Sequence, residues 1–173
     1  MARNDTASVN RRTEIISAAI EVFAETGYYR TTTAQVAQRA GISQPYVFKF
    51  FATKEALMLA ALEVSWERIT EAFSQVVATA SPDQLEKELI ETYEEILAAH
   101  RQETLLQMQA QTMQEEPIRA AMQTGLKEVR RIVLEAFQNN KLSNPEDRTL
   151  LFLARGMLCN ISMALDIPEL MNK

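Results

Sequence analysis

The chain has 173 residues, 47% hydrophobic and 24% charged, which suits one globular unit or two small ones sharing a core and excludes a disordered tail. Its net charge of −5, from 18 basic and 23 acidic residues, argues as a whole against a protein that coats nucleic acid by bulk charge. With one cysteine, Cys159, and one histidine, His100, neither an internal disulfide nor a Cys/His metal centre can be assembled, and no metal or cofactor is expected.

The N-terminal MARNDTASVN lacks the apolar stretch of a signal peptide. The longest apolar run, Leu150 to Leu165, is broken by Arg155 and Asn160 and is short for a bilayer span. The expectation is a cytoplasmic protein with no membrane partner.

Prolines and glycines punctuate helices in chain order. Residues 1–10 are expected as a disordered tail. Ile16, Ala19, Ile20 and Phe23 then recur at helical spacing, predicting a helix over 11–26. Short helices follow at 34–40 and 44–50, with a long one at 54–79. Ser81, Pro82 and Gln84 form a capping-box pattern that predicts a helix over 82–101. Further helices are predicted at 103–114, at 117–138 with Ile118, Met122, Leu126, Val129, Val133 and Phe137 on one stripe, and at 145–166 behind an Asn144 cap. No stretch alternates like a strand, so the fold class is all-α, with eight or nine helices.

The segment from 33 to 51, TAQVAQRAGISQPYVFKFF, is the informative one. Val36, Ala37 and Ala40 line a short helix that ends at Gly41; Ile42 fills the corner and Ser43 caps a second helix carrying Val47. This is a helix-turn-helix pattern over about 32–51, although an ordinary helix corner has the same outline. A second helix so placed can enter a major groove.

Flanked by GYYRTT before it and FATKEAL after it, the pattern resembles the N-terminal domain of the tetracycline-repressor (TetR) family of transcriptional regulators. The likeness covers about residues 10–60: Phe23, Gly27, Thr31 to Thr33, Val36, Ala37, Ala40, Gly41, Ser43, Phe51, Lys54, Glu55 and Leu57 fall at family spacing. The sequence departs from the family at Phe48, which has no hydroxyl for a phosphate, and at Pro45, where a small residue is frequent.

The resemblance implies a DNA-binding domain at 11–56 and a helical regulatory and dimerisation domain at 57–173. Gln44, Pro45 and Tyr46 in the first turn of the second helix are then expected at base edges, Gln44 pairing with adenine. Lys49, Lys54, Thr33 and Thr53 are expected at phosphates, with Gln35 or Arg39 adding an edge contact and Arg11 and Arg12 reaching flanking backbone. The charge divides accordingly: residues 1–58 hold seven basic and five acidic side chains, net +2, and the rest hold eleven and eighteen, net −7.

The resemblance further implies a homodimer on a double-stranded DNA operator, built from the two last long helices. The almost wholly apolar TLLFLARGMLCNISMAL run fits a helix buried by its own domain on one side and by a partner on the other. It also implies an effector pocket in the middle helices, with Trp66, Phe73, Tyr93, Leu97, Met108, Met113, Met122 and Met157 as candidate walls for a small apolar or amphipathic molecule. Ile69, His100, Thr112 and Ile161 are further candidates. The expected function is a ligand-released repressor on a palindromic operator and not an enzyme. The alternative is a helical interaction module of the same fold that has lost DNA binding.

Overall fold

The computed structural model describes residues 2–171, with side chains described from residue 9 onward. Eight α-helices follow one another: α1 (Ala2–Thr26), α2 (Thr33–Arg39), α3 (Gln44–Phe48), α4 (Lys54–Thr79), α5 (Leu85–Ala99), α6 (Arg101–Ala110), α7 (Glu116–Asn139) and α8 (Pro145–Leu165), with a short 3-10 turn at Pro168–Leu170. No strand occurs among the described residues, so the chain is all-α as expected.

Two element starts differ from the sequence expectation by more than two residues. The backbone is helical from Ala2, so 2–10 extend α1 instead of forming a disordered tail over 1–10; Met1 and the side chains up to residue 8 lie outside the described residues. No glycine or proline interrupts that segment, and Thr13 Oγ1 bonds the Val9 carbonyl (3.1 Å) while Arg11 pairs with Glu14 one turn on. α5 begins at Leu85, not at 82. Ser81 supplies its backbone carbonyl to the Gln84 and Leu85 N–H groups, and no side-chain capping bond forms.

Side-chain caps form at α2 and α4, whereas Asn144, expected to cap α8, takes a left-handed backbone (φ 51°) and makes no side-chain capping bond. Thr32 and Gln35 form a reciprocal capping box at the head of α2. Gly41, at φ +65°, ends α2 in a Schellman motif: the Ile42 N–H bonds the Ala37 carbonyl (3.0 Å) and the Gly41 N–H bonds the Gln38 carbonyl (3.2 Å). That closure sets the angle at which α3 leaves α2.

Two apolar clusters hold the helices. The first unites Ile15, Ala19 and Phe23 of α1, Val36 of α2, Val47 of α3 and Leu57, Met58 and Leu62 of α4 with Leu106 and Ala110 of α6 and Ile118 of α7. The boundary expected at 56/57 therefore falls inside one helix and one core. Gln109 Nε2 reinforces the union by donating to the Ala24 carbonyl (2.8 Å), and Arg68 ties α4 to α6 through two bonds to the nearly buried Glu103 (2.9 and 3.0 Å). The second cluster packs Ile69 and Phe73 of α4, Leu85 and Leu89 of α5, Val129, Val133 and Phe137 of α7 and Phe152 of α8. Burying a side chain such as Phe73 or Phe137 contributes roughly 2–3 kcal/mol each.

α4 and α7 meet at Gly125, where a Cβ would overlap the Trp66 indole. The glycine is required by that contact and not by its backbone angle. The indole Nε1 is sealed from solvent without a partner.

Candidate nucleic-acid interface and ligand cavity

α3 stands at the surface with one face locked inward. Val47 is fully buried, whereas Gln44, Pro45, Phe48 and Lys49 are exposed and Tyr46 is half-buried. Gln44 Nε2 donates to Thr33 Oγ1 (2.8 Å), bridging α3 to the first turn of α2 and leaving Oε1 outward. A bidentate contact with adenine uses both amide atoms, so reading a base requires Gln44 to release Thr33. Tyr46 packs edge-on against Phe50 (5.5 Å), and Lys49 Nζ lies 5.0 Å from the Tyr46 ring centroid, a cation–π contact that restricts both. Gln44, Pro45, Tyr46, Lys49 and Thr33 are thus brought together on one patch.

Other expected contacts are occupied inside the protein. Gln35 Oε1 accepts from the Thr32 N–H (2.8 Å) and hydroxyl (3.0 Å) in the capping box. Thr53 caps α4, accepting from the Ala56 N–H (3.0 Å). Lys54 differs most from expectation. Its ammonium donates to the Tyr28 (2.8 Å) and Thr31 (3.0 Å) carbonyls, approaches that of Tyr29 (3.4 Å), and lies 4.5 Å from the Tyr28 ring centroid. With its donors engaged, it clips the loop after α1 onto the head of α4 instead of facing a phosphate.

Arg39 likewise turns from a base edge to Glu21 and Glu25 of α1 (2.7 and 2.6 Å). The bonded guanidinium holds the Glu25 carboxyl below its ordinary range. Arg12 lies over the Phe51 ring (5.3 Å) and Arg11 pairs with Glu14. These pairings spend much of the local positive charge, so any DNA contact here relies more on shape than on field. Ser43, by contrast, heads α3 without the side-chain capping bond expected of it, and its exposed hydroxyl is available.

We expect Lys54→Met to lower stability by about 2 kcal/mol, the scale of hydrogen bonds to a charged donor, and the melting temperature by roughly 4–8 °C. Calorimetry checks this; an unchanged melt with weakened DNA binding would restore the phosphate role.

A cavity of about 400 Å³ opens between α4, α5, α6, α7 and α8. Of the expected walls it takes Trp66, Phe73, Tyr93, Met122 and Met157, together with Ile69. Leu97, Met108 and Met113 lie outside it: Leu97 is buried on α5, Met113 belongs to the first core cluster, and Met108 is half-buried on α6. His100 faces away and pairs with Glu103 (3.6 Å), Thr112 bonds the Gln109 carbonyl, and Ile161 is exposed on α8. The polar lining, Gln107, Gln111, Arg119, Gln123 and Asn160, leaves no mark in the apolar periodicity of these helices.

α8 presents a continuous apolar stripe to solvent: Leu150 and Leu151 (66% and 67% exposed), Met157, Leu158, Ile161 and Leu165. Its opposite face, with Thr149, Phe152, Cys159 and Asn160, is buried against the domain. By length and composition α8 is apolar enough to cross a membrane, contrary to the sequence expectation, yet it is packed on α5 and α7 within this fold.

Residues 15–61 match the sequence profile of bacterial regulatory proteins of the tetR family. Over this N-terminal stretch, about a quarter of its length, the chain is similar to the TetR family. The HTH-type transcriptional activator FasR of Mycolicibacterium smegmatis is 32% identical over 71 residues, covering 41% of this chain and 32% of FasR. The HTH-type transcriptional regulator HbdR of Aromatoleum sp. (strain CIB) is 40% identical over 53 residues, covering 31% of this chain and 23% of HbdR. The chain therefore aligns with a third or less of these curated relatives' length. Likeness of fold extends further: the transcriptional regulator FadR from Bacillus subtilis, solved in complex with stearoyl-CoA, superposes with a TM-score of 0.76 at 18% identity over 89% of this chain and 88% of that one. These relatives are regulators of transcription, in line with the expectation of a protein that is not an enzyme.

Proposed function

We propose that this protein is a TetR-family, sequence-specific, ligand-responsive transcriptional regulator, cytoplasmic and homodimeric, that represses from a palindromic operator until an effector releases it. The observation that carries the reading is the exposed patch of Gln44, Pro45, Tyr46 and Lys49 on a helix whose exit angle is fixed by the Gly41 corner. A helix of this kind reads base edges from its first turn, and two copies bind half-sites about one helical turn apart. The α8 stripe supports the homodimer, since an uncovered apolar face of this extent marks an interface.

The cavity supports an apolar or amphipathic effector, and stearoyl-CoA in the FadR relative is a ligand of that character. α4 links the two functions: Trp66, Ile69 and Phe73 line the cavity, while Lys54 fastens its other end to the loop after α1 in the reading head. For release, the effector has to bind the non-reading conformer more tightly than the DNA-bound one.

Selection of bound fragments from random double-stranded DNA tests the reading. A palindrome with half-sites about 10 base pairs apart is expected. A non-palindromic site would remove the paired-reader arrangement, and recovery of no preferred DNA would favour the interaction module, which the exposed Phe48 and the paired cations Arg39 and Lys54 also suit.

A further inference from the structure

The cavity wall contains two carboxamides whose hydrogen bonding is half used. Ser65 Oγ donates to the Leu62 carbonyl (2.8 Å), so its oxygen accepts from Gln107 Nε2 (3.0 Å), and Gln107 Oε1 is left without a protein partner. Tyr93 Oη donates to Asn160 Oδ1 (2.8 Å); burial pushes its pKa up to about 12, which keeps the phenol a donor. Asn160 Nδ2 is therefore left over as well. In this arrangement Gln107 Nε2 and Asn160 Oδ1 are the committed amide atoms.

Gln107 and Asn160 are only 5% and 6% exposed. Yet neither leftover atom is among the sealed, unpartnered ones of the described residues, which are Trp66 Nε1, Gln109 Oε1 and Arg155 Nε. The open space they meet is the cavity that both residues line. Around them the wall is apolar, with Phe73, Phe152 and Val129 among its residues. Of the side chains lining the cavity, Arg119 alone carries a formal charge, and it is solvent-exposed on α7 with Glu116 as its partner.

Building on the cavity as the effector site, we propose that the enclosed part of the effector is an uncharged polar group on an apolar skeleton, offering an acceptor to Asn160 Nδ2 and a donor to Gln107 Oε1. Amides, lactams and hydroxyketones have this chemistry. A buried carboxylate would meet the Gln107 carbonyl oxygen without a compensating cation, and a quaternary ammonium would leave the Asn160 N–H unpaired; both would lose their hydration.

The only tryptophan in the chain, Trp66, lies on the cavity wall and reports binding by its fluorescence. Titration of the full chain with decanamide, decanoate and decyltrimethylammonium is expected to rank decanamide first by about tenfold or more. Asn160→Leu and Gln107→Leu should each weaken decanamide by about tenfold, whereas methyl decanoate, which has acceptors only, should respond to Asn160→Leu alone. Should a variant fail to fold by circular dichroism, the ranking on the unsubstituted chain still decides. Decanoate or decyltrimethylammonium binding as tightly as decanamide, a preference that survives both substitutions, or no binding by any probe would overturn the proposal. The two readings fail separately: a chain that selects a palindrome but ranks decanoate first keeps the regulator and loses this ligand class, and one that ranks decanamide first but selects no DNA does the reverse.

Discussion

Leu151→Glu combined with Leu158→Glu is expected to convert the proposed dimer to a monomer at micromolar concentration and to weaken operator binding by at least about 100-fold. Both side chains lie one above the other on the exposed face of α8, seven residues apart. Being exposed in the single chain, they can be exchanged for glutamate with little effect on its own folding. In a symmetric interface each substitution occurs twice, so four carboxylates would be brought together where apolar surface was to be covered. The affinity loss follows from effective concentration: once one head is bound, its tethered mate finds the second half-site as an intramolecular step, and a monomer forfeits that gain. Sedimentation and gel shift on the same sample, with a melting temperature within a few degrees of the parent, measure both effects. A variant that stays dimeric would place the interface elsewhere.

The second large effect concerns the reading head. Gln44→Ala, Tyr46→Ala and Lys49→Ala together are expected to reduce specific binding by roughly 100- to 1000-fold and to bring it near the level for unrelated DNA, since one lost bidentate base contact alone costs about 1–3 kcal/mol. The components separate by salt. Lys49→Ala should weaken all sequences alike and reduce the slope of log affinity against log salt by about one, whereas Gln44→Ala should relax the preference at one base position and leave the slope unchanged. Because Gln44 Nε2 rests on Thr33 in the free protein, Thr33→Val also frees the amide for DNA. Specific binding that survives the triple substitution would move the recognition surface away from α3.

Much of the helix order is legible in the residues because its punctuation is local: Pro145 opens α8, Gly41 closes the corner after α2, and Thr32 with Gln35 opens α2. The α3 patch is legible for the same reason, as one short helix with a single buried face. The intramolecular partners of Lys54 and Arg39 are not legible because they lie far back in the sequence, at Tyr28 and Thr31 for one and at Glu21 and Glu25 for the other. Nothing in a basic side chain's own neighbourhood says whether a carbonyl or a phosphate will take its protons. The same limit applies to the cavity. Met113 and Met122 look alike in a periodic stripe, yet one enters the first core cluster and the other the cavity, depending on how α6 and α7 cross α4. Gln107 and Asn160 gain meaning only from Ser65 and Tyr93, their partners across the fold.

The length of α4 has a mechanical consequence. From Phe73 at the cavity to Lys54 at the clip the helix runs about 28 Å at 1.5 Å per residue. A tilt of about 5° at the Phe73 end, small enough to be absorbed by side-chain repacking, swings the Lys54 end by about 2.5 Å on that lever. Because Lys54 is fastened to the loop carbonyls and not left loose, the first four helices travel with it as one body. In the proposed homodimer, two mirrored swings would change the separation of the paired heads by as much as about 5 Å, a mismatch that grooves spaced about 34 Å apart do not accommodate.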